Sequence, residues 1–233
     1  MSTAYTLHFA PDNASLVIRI ALEICGAPYT CALVDRTQNA QRSAAYLEMN
    51  PLGMIPALET PDGPLFETGA IVLWLADRHG GLLPAPDDPD RGAALKWLFF
   101  LSNSLHAQLR QMFYPQTFVA PAHSGALQAG LAPRIYSDFA RIDALAGHGN
   151  CFGTGRCRAL DVYAACLWRF ARLYPQTGTA IAPEQASALP HLHSLCRTLE
   201  SLPAVHTAQA AEGLGAAPFT APGYANPPIG SAT

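Results

Sequence analysis

The chain has 233 residues, half of them hydrophobic and only 13% charged, with a formal net charge of −3. That balance excludes the basic footprint of a nucleic-acid binder or a cationic membrane-surface face. No stretch approaches the roughly 18 uninterrupted apolar residues of a membrane span, and the length suits one large domain or two small ones with real cores.

The chain begins Met1-Ser-Thr-Ala-Tyr-Thr6, with no charged n-region or long apolar run, so a cytoplasmic location without a secretory signal is expected. Thr6 to Phe9 alternates as a short strand, and Ala10-Pro11-Asp12-Asn13 breaks it with turn chemistry. Val17, Ile20, Ala21 and Ile24 then share one helical face, with Asp12 or Asn13 suited to cap it and Gly26 to stop it. Tyr29 to Val34 reads as a second strand, parallel to the first because a helix joins them. Ser43 to Met49 predicts a short helix. Pro56 sits where a strand should open, since it lacks the N–H that a ladder needs. Ala57 to Thr60 and Leu65-Phe66 flank Pro61-Asp-Gly-Pro64, an antiparallel hairpin. Glu67-Thr68 then precedes Ile71, Val72, Leu75 and Ala76, a one-faced helix ending near His79. The order βαβαββα implies an α/β layer on a mixed four-stranded sheet.

Residues 82–90 hold three prolines and three aspartates without periodicity and read as a linker. Everything beyond is helical in pattern. Ala94 to Phe113 predicts one long buried helix, and Leu131, Ile135, Phe139, Ile142 and Leu145 form an amphipathic stripe. Leu160 to Leu173 is apolar nearly all round, as befits a central helix, and Pro190 suits the first turn of another. From Gly213 onward Pro, Gly and Ala predict an irregular or mobile tail. The expected division is residues 1–81, a linker 82–90, a helical domain 91–213 and a tail 214–233. Cys25, Cys31, Cys151, Cys157, Cys166 and Cys196 show neither a CxxC pair nor ligand spacing, so free thiols and no metal are expected. His191 and His193, two apart on a helix, point to different faces and read as a solvated pair.

From about Leu7 to Leu214 the chain resembles the cytosolic glutathione S-transferases, a thioredoxin-like domain followed by an all-helical one. The resemblance rests on Tyr46-Leu-Glu-Met-Asn-Pro-Leu-Gly-Met-Ile-Pro-Ala-Leu58 and Leu65-Phe-Glu-Thr-Gly-Ala-Ile71. Phe9-Ala-Pro11, Ser15-Leu16, Ser104-Leu-His106 and Ala211-Glu-Gly-Leu214 are similar to the bacterial, beta-like branch. It implies glutathione as co-substrate, a homodimer, and a cis bond before Pro56. It also implies that the Ile55 backbone pairs with the cysteinyl part of glutathione as an added strand. Thr68 and Glu67 would hold the γ-glutamyl end, helped by the dipole of the helix that Thr68 opens.

The branch motif Pro-x-x-Cys-Ser-Leu reads Pro11-Asp-Asn-Ala-Ser-Leu16 here, so Ala14 stands where the cysteine would be. The thiolate donor is then Ser15 or Asn13, with Tyr5 too early in the chain. His106 resembles the cleft-lining histidine of the family. Phe9, Phe100, Ser104 and Phe113 are the expected lining of the electrophile pocket. Ala107 and Met54 replace polar residues that commonly serve glutathione's glycyl carboxylate, leaving Arg36, Arg42 or Arg110 as substitutes. Gly155 to Asp161 resembles the family's capping motif, with Arg158 in place of its Ser or Thr, and Asp161 would bond its own helix start. Three functions stay open: transfer of glutathione thiolate to a small electrophile, isomerisation or disulfide exchange by bound glutathione, and non-catalytic binding.

Overall fold

The computed structural model describes residues 5–149 and 151–232. Strands β1 (Tyr5–Phe9), β2 (Tyr29–Leu33), β3 (Ala57–Thr60) and β4 (Gly63–Phe66) form one sheet in the order β2-β1-β3-β4. β1 runs parallel to β2 and antiparallel to β3, with Leu7 opposite Cys31 on one side and Leu58 on the other. β3 and β4 form the predicted hairpin. Helices α1 (Ser15–Cys25), α2 (Ala44–Met49) and α3 (Thr68–His79) complete the layer. Side chains alternate along β1, so Tyr5, Leu7 and Phe9 enter the main core with Leu16, Ile20, Ile71 and Leu75. Val34, Tyr46 and Ala57 form a smaller separate cluster. Gly26 stops α1 at φ 60, its N–H bonded to the Glu23 and Leu22 carbonyls.

Helices α4 (Arg91–Phe99), α5 (His106–Phe113), α6 (Ser124–Gly147), α7 (Arg158–Leu173), α8 (Pro183–Ser187), α9 (Pro190–Glu200) and α10 (Pro203–Glu212) follow. The long helix expected over Ala94 to Phe113 is instead α4 and α5 joined by a π-helical stretch, Phe100–Leu105. α7 is buried on every side, as its apolar sequence predicts, and carries the fully buried Trp168 and Arg169. One contiguous core joins the sheet layer to the helices, from Tyr5 to Phe219. The linker is held on both flanks. Arg156 pairs with Asp88 (2.8 Å) and Asp90 (2.6 Å), while Arg91 reaches Asp77 (2.6 Å) and the Pro84 carbonyl (2.7 Å).

Two local expectations change, the α1 cap and the Asp161 partner. Neither Asp12 nor Asn13 caps α1: Ala14 holds the cap position without a side-chain bond, because Asp12 turns inward at φ 52. Asp161 accepts not from its own helix start but from the Gly153 N–H of the preceding loop (2.8 Å). Side chains of a helix lean toward its N-terminus, so a first-turn carboxylate reaches back past the helix end. His191 is exposed, but Gly147 lies so close beneath its ring that any Cβ there would collide with it. The tail has no regular element yet is pinned. Glu200 accepts from the Phe219 and Thr220 N–H groups (2.7 and 2.8 Å), Arg172 donates to the Phe219 and Thr220 carbonyls, and Phe219 is fully buried. All six cysteines are free thiols, and Cys157, Cys166 and Cys196 are buried. Among the described residues no group of His, Cys, Asp and Glu could hold a metal, and no helix is long and apolar enough to cross a membrane.

Candidate functional site

A cleft of about 670 Å³ opens where the β1–α1 loop, the turn before β3, the start of α3 and the α5 face meet. That volume suits a drug-sized ligand. The sequence from Asn50 to Thr68 builds one wall. Asn50 is buried, and its Nδ2 donates to the Met54 carbonyl (2.7 Å) while its Oδ1 accepts from the Leu52 N–H (3.1 Å). The Tyr46 hydroxyl donates to the same Met54 carbonyl (2.7 Å). With Met54 held twice, the next residue lies along the cleft. Ile55 precedes a cis bond to Pro56, and both line the cavity. Among the described residues the Ile55 N–H and C=O have no backbone partner, so they are open to a ligand strand.

Glu67 and Thr68 line the same wall, where α3 begins. Glu67 sits at φ 70, ψ 114, a conformation disfavoured by about 1–3 kcal/mol for a residue with a Cβ. The N-terminus of α3 thus borders the cleft, where the helix dipole favours an anion. The Tyr163 hydroxyl meets the Thr68 side chain and also His106 Nδ1 (2.8 Å), a polar relay from α3 through α7 to α5. Burial pushes the Tyr163 hydroxyl well up, so it stays protonated. His106 is pulled down to about 4 by burial and then by the Arg110 charge. One edge of its ring reaches the cleft, and the imidazole is neutral near pH 7.

The opposite wall comes from α5 and the segment after β2. Ser102, His106, Arg110 and Phe113 all line the cavity. Their spacings of four, four and three place them on one helical face. Ser104 is two residues from His106, about 200° around the helix, and does not line the cleft. Phe100 stacks edge-on against Trp97 (5.3 Å between centroids), and Phe9 is buried beneath the Arg19 guanidinium (4.6 Å). Of the four expected electrophile-pocket residues, only Phe113 reaches the cavity. Tyr114, Phe170 and Tyr174 line it as well, and Phe113 stacks edge-on with Tyr174.

Arg36, Arg42 and Arg110, which sequence could not place, all face the cleft. Arg36 donates to the Tyr114 hydroxyl (2.9 Å), Arg42 to the Leu52 carbonyl (3.2 Å), and Arg110 lies over the Phe118 ring (5.6 Å). Asp12 also lines the cavity, but its carboxylate is taken by Arg169 and the Tyr174 hydroxyl. Three arginines therefore share the cleft with Glu67, which makes no ion pair among the described residues, and the lining is positive overall.

At the β1–α1 loop, Asn13 and Ala14 line the cleft and Ser15 does not. Ser15 is fully buried, and its hydroxyl donates to the Ala10 carbonyl (3.1 Å). Asn13 accepts from the Ala14 N–H through Oδ1 (2.8 Å), and its NH₂ group has no side-chain or backbone partner among the described residues. Tyr5 is buried at the far end of β1, hydrogen-bonded to His79 Nε2 (2.9 Å). The structure thus brings Asn13, Ile55, Pro56, Glu67, Thr68, His106 and Phe113 together, and leaves Ser15, Phe9, Phe100 and Ser104 outside.

Comparison with known proteins agrees with this geometry. Residues 3–77 match the family model described as the glutathione S-transferase N-terminal domain. The chain is 28% identical over 172 residues to a probable elongation factor 1-gamma 2 of Arabidopsis thaliana, covering 70% of this chain and 38% of that protein. Over 89 residues it is 41% identical to a maleylacetoacetate isomerase of Rhizobium meliloti (strain 1021), covering 37% of this chain and 42% of that one. Over 89 residues it is 36% identical to the disulfide-bond oxidoreductase YghU of Escherichia coli (strain K12), covering 36% and 31%. The chain thus spans well under half the length of these relatives. Solved structures align nearly end to end. A glutathione transferase from Methylococcus capsulatus str. bath has a TM-score of 0.72 at 26% identity, covering 91% of this chain and 100% of that one. A glutathione transferase homologue from Sulfitobacter, crystallised with glutathione, has a TM-score of 0.75 at 20% identity, covering 90% and 98%. Residues 3–77 therefore match the glutathione S-transferase N-terminal domain in sequence, and the whole chain has the fold of the solved glutathione transferases.

Proposed function

We propose that the cleft binds glutathione and that the protein is a glutathione transferase, joining the glutathione thiolate to a small electrophile. One observation carries this reading: the unpaired Ile55 backbone lies on the same cavity as the α3 N-terminus and three arginines. Glutathione is an extended tripeptide with a carboxylate at each end. Ile55 supplies the strand edge for its middle, at about 0.5–1.5 kcal/mol net per hydrogen bond. Thr68 and the first N–H groups of α3 take the γ-glutamyl carboxylate, and Glu67 its ammonium group. The arginines Arg36, Arg42 and Arg110 answer the glycyl carboxylate, in place of the polar side chains replaced by Met54 and Ala107. The thiol falls beside the β1–α1 loop. There the Asn13 NH₂ group donates to the thiolate, ahead of Ser15, whose hydroxyl is turned inward. Phe113, Tyr114, Phe170 and Tyr174 form an aromatic wall for the electrophile. On this reading residues 1–81 bind glutathione, 82–90 link, 91–213 shape the second wall, 214–233 form a tail, and two chains assemble as a homodimer.

A free thiol of this kind ionises near pKa ~8.5–9. Titration calorimetry should show glutathione binding to the wild type, and ultraviolet titration of the complex should show a thiol pKa below that range. Asn13→Ala should raise that pKa and lower kcat/KM on an aromatic halide at least tenfold, about 1.4 kcal/mol. Ser15→Ala should leave both near wild type. No binding of glutathione at millimolar concentration sinks the proposal.

A second reading has bound glutathione act as the reagent in isomerisation or disulfide exchange. Ala14 at the family's cysteine position favours it, as do the short matches to an isomerase and a disulfide-bond oxidoreductase. Binding with disulfide-exchange activity and no conjugation would select it. Binding with neither activity would select a non-catalytic role, for which the elongation-factor relatives are the precedent.

A further inference from the structure

Beneath the thiol end of the cleft lies a buried charge network that the reading above does not use. Arg169, on α7, is fully buried, and its guanidinium makes four hydrogen bonds. Nε and Nη2 grip the two oxygens of Asp12 (2.7 and 2.8 Å), while Nη1 and Nη2 donate to the Pro218 and Gly223 carbonyls of the tail (3.0 and 2.9 Å). The Tyr174 hydroxyl donates to the same Asp12 carboxylate (2.7 Å). The Asp12 N–H donates to Glu212 at the end of α10 (2.9 Å), whose other oxygen accepts from Arg19 (2.8 Å). Asp12, at φ 52, is thus held by Arg169 of α7, Tyr174 just after it and Glu212 of α10, with Arg169 held in turn by residues beyond Gly213. The next residue is Asn13.

We propose that Arg169 is a positioning residue for the β1–α1 loop, and that through it the C-terminal segment sets where Asn13 meets the thiol. A bidentate guanidinium fixes a carboxylate in angle as well as distance, which a lysine ammonium does not. The two tail carbonyls fix the guanidinium in turn. Glu200, on α9 and away from the cleft, anchors those tail residues through the Phe219 and Thr220 N–H groups and the Thr220 hydroxyl (2.7 Å). The tail therefore has a handle that can be cut without touching any residue of the cavity.

This inference rests on the glutathione reading for the identity of the thiol, but its structural half is testable without ligand. Glu200→Ala and Arg169→Lys are compared with wild type by amide hydrogen exchange of residues 9–14 in the free protein, then by the thiol pKa of bound glutathione. Each variant should speed loop exchange at least tenfold and raise the bound thiol pKa by about half a unit or more, as expected when a donor is displaced. Affinity for S-methylglutathione, which has no thiol to ionise, should change less than threefold. If Arg169→Lys fails to fold, Glu200→Ala alone decides. Loop exchange at the wild-type rate with the tail released overturns the proposal, and so does a loosened loop with an unshifted thiol. Failure of the wild type to bind glutathione overturns the proposed function instead, and loop exchange in the free protein still decides the coupling.

Discussion

Tyr163 shows what one buried hydroxyl does in this cleft. It bonds His106 Nδ1 and meets Thr68, so three helices share one polar contact at the wall of the cleft. Tyr163→Phe should leave a buried imidazole nitrogen without its partner, at a cost of about 1–3 kcal/mol in urea unfolding. The same change should weaken glutathione several-fold by freeing the Thr68 side chain to turn, which calorimetry reads directly. Because His106 is neutral near pH 7, glutathione affinity should carry no step from its titration at pH 6 to 8. The family resemblance pointed to His106, Thr68 and Ile55, and all three line the cleft. It did not show Tyr163, which sits in an apolar helix where a tyrosine reads as core. Ser104 and Phe100 both fall off the His106 face once helical phase is counted, and neither lines the cleft.

At the scale of elements, the turn from Asn50 to Pro56 is the most tightly specified piece. Gly53 stands at φ 60, and a Cβ there would lie 2.8 Å from the Arg42 guanidinium and 2.9 Å from the Gln41 carbonyl. Gly53→Ala should therefore cost about 1–2 kcal/mol in stability through the left-handed backbone. It should also push Arg42 from the cleft, so that glutathione loses affinity while a glycine-truncated analogue does not; equal losses for the two ligands would remove Arg42 from the glycyl role. The periodicity of α1, α3, α6 and α7 read correctly, because each buries a face or its whole surface. The π-helical stretch between α4 and α5, which packs against α7, was not legible, since helical periodicity alone does not separate a π turn from an α turn. The caps misled for a similar reason: Asp12 has the right chemistry to cap α1, but a buried arginine 157 residues away claims its carboxylate.

Across the whole molecule, a buried acid ties stability to pH. Asp161 is buried, and burial raises its carboxyl from an ordinary 3.8 to about 7, against the smaller opposing pull of the Gly153 N–H and Arg158. A carboxyl whose folded pKa lies above its unfolded one contributes fully below about pH 4, and that contribution is lost as pH rises through 7. The difference is at most about 4 kcal/mol. Asp161→Asn keeps an oxygen for the Gly153 N–H and removes the titration. Its stability relative to wild type, from urea unfolding, should improve by more than 1 kcal/mol between pH 5 and 8; parallel profiles would show that Asp161 does not titrate there.

By itself the sequence determined the layer order, the parallel and antiparallel pairings, and the stretch from Asn50 to Thr68. All of these follow from local patterns: alternation, helical spacing, and prolines and glycines that permit few backbone shapes. Only the tertiary structure decided which side chains share the cleft. It turned Ser15 inward, brought Arg36, Arg42 and Arg110 to the cleft, and bound Asp12 to Arg169 and Arg169 to the tail. Long-range electrostatics drives that last choice. A buried charge must find its partner wherever the chain brings one, and no local pattern records where that is.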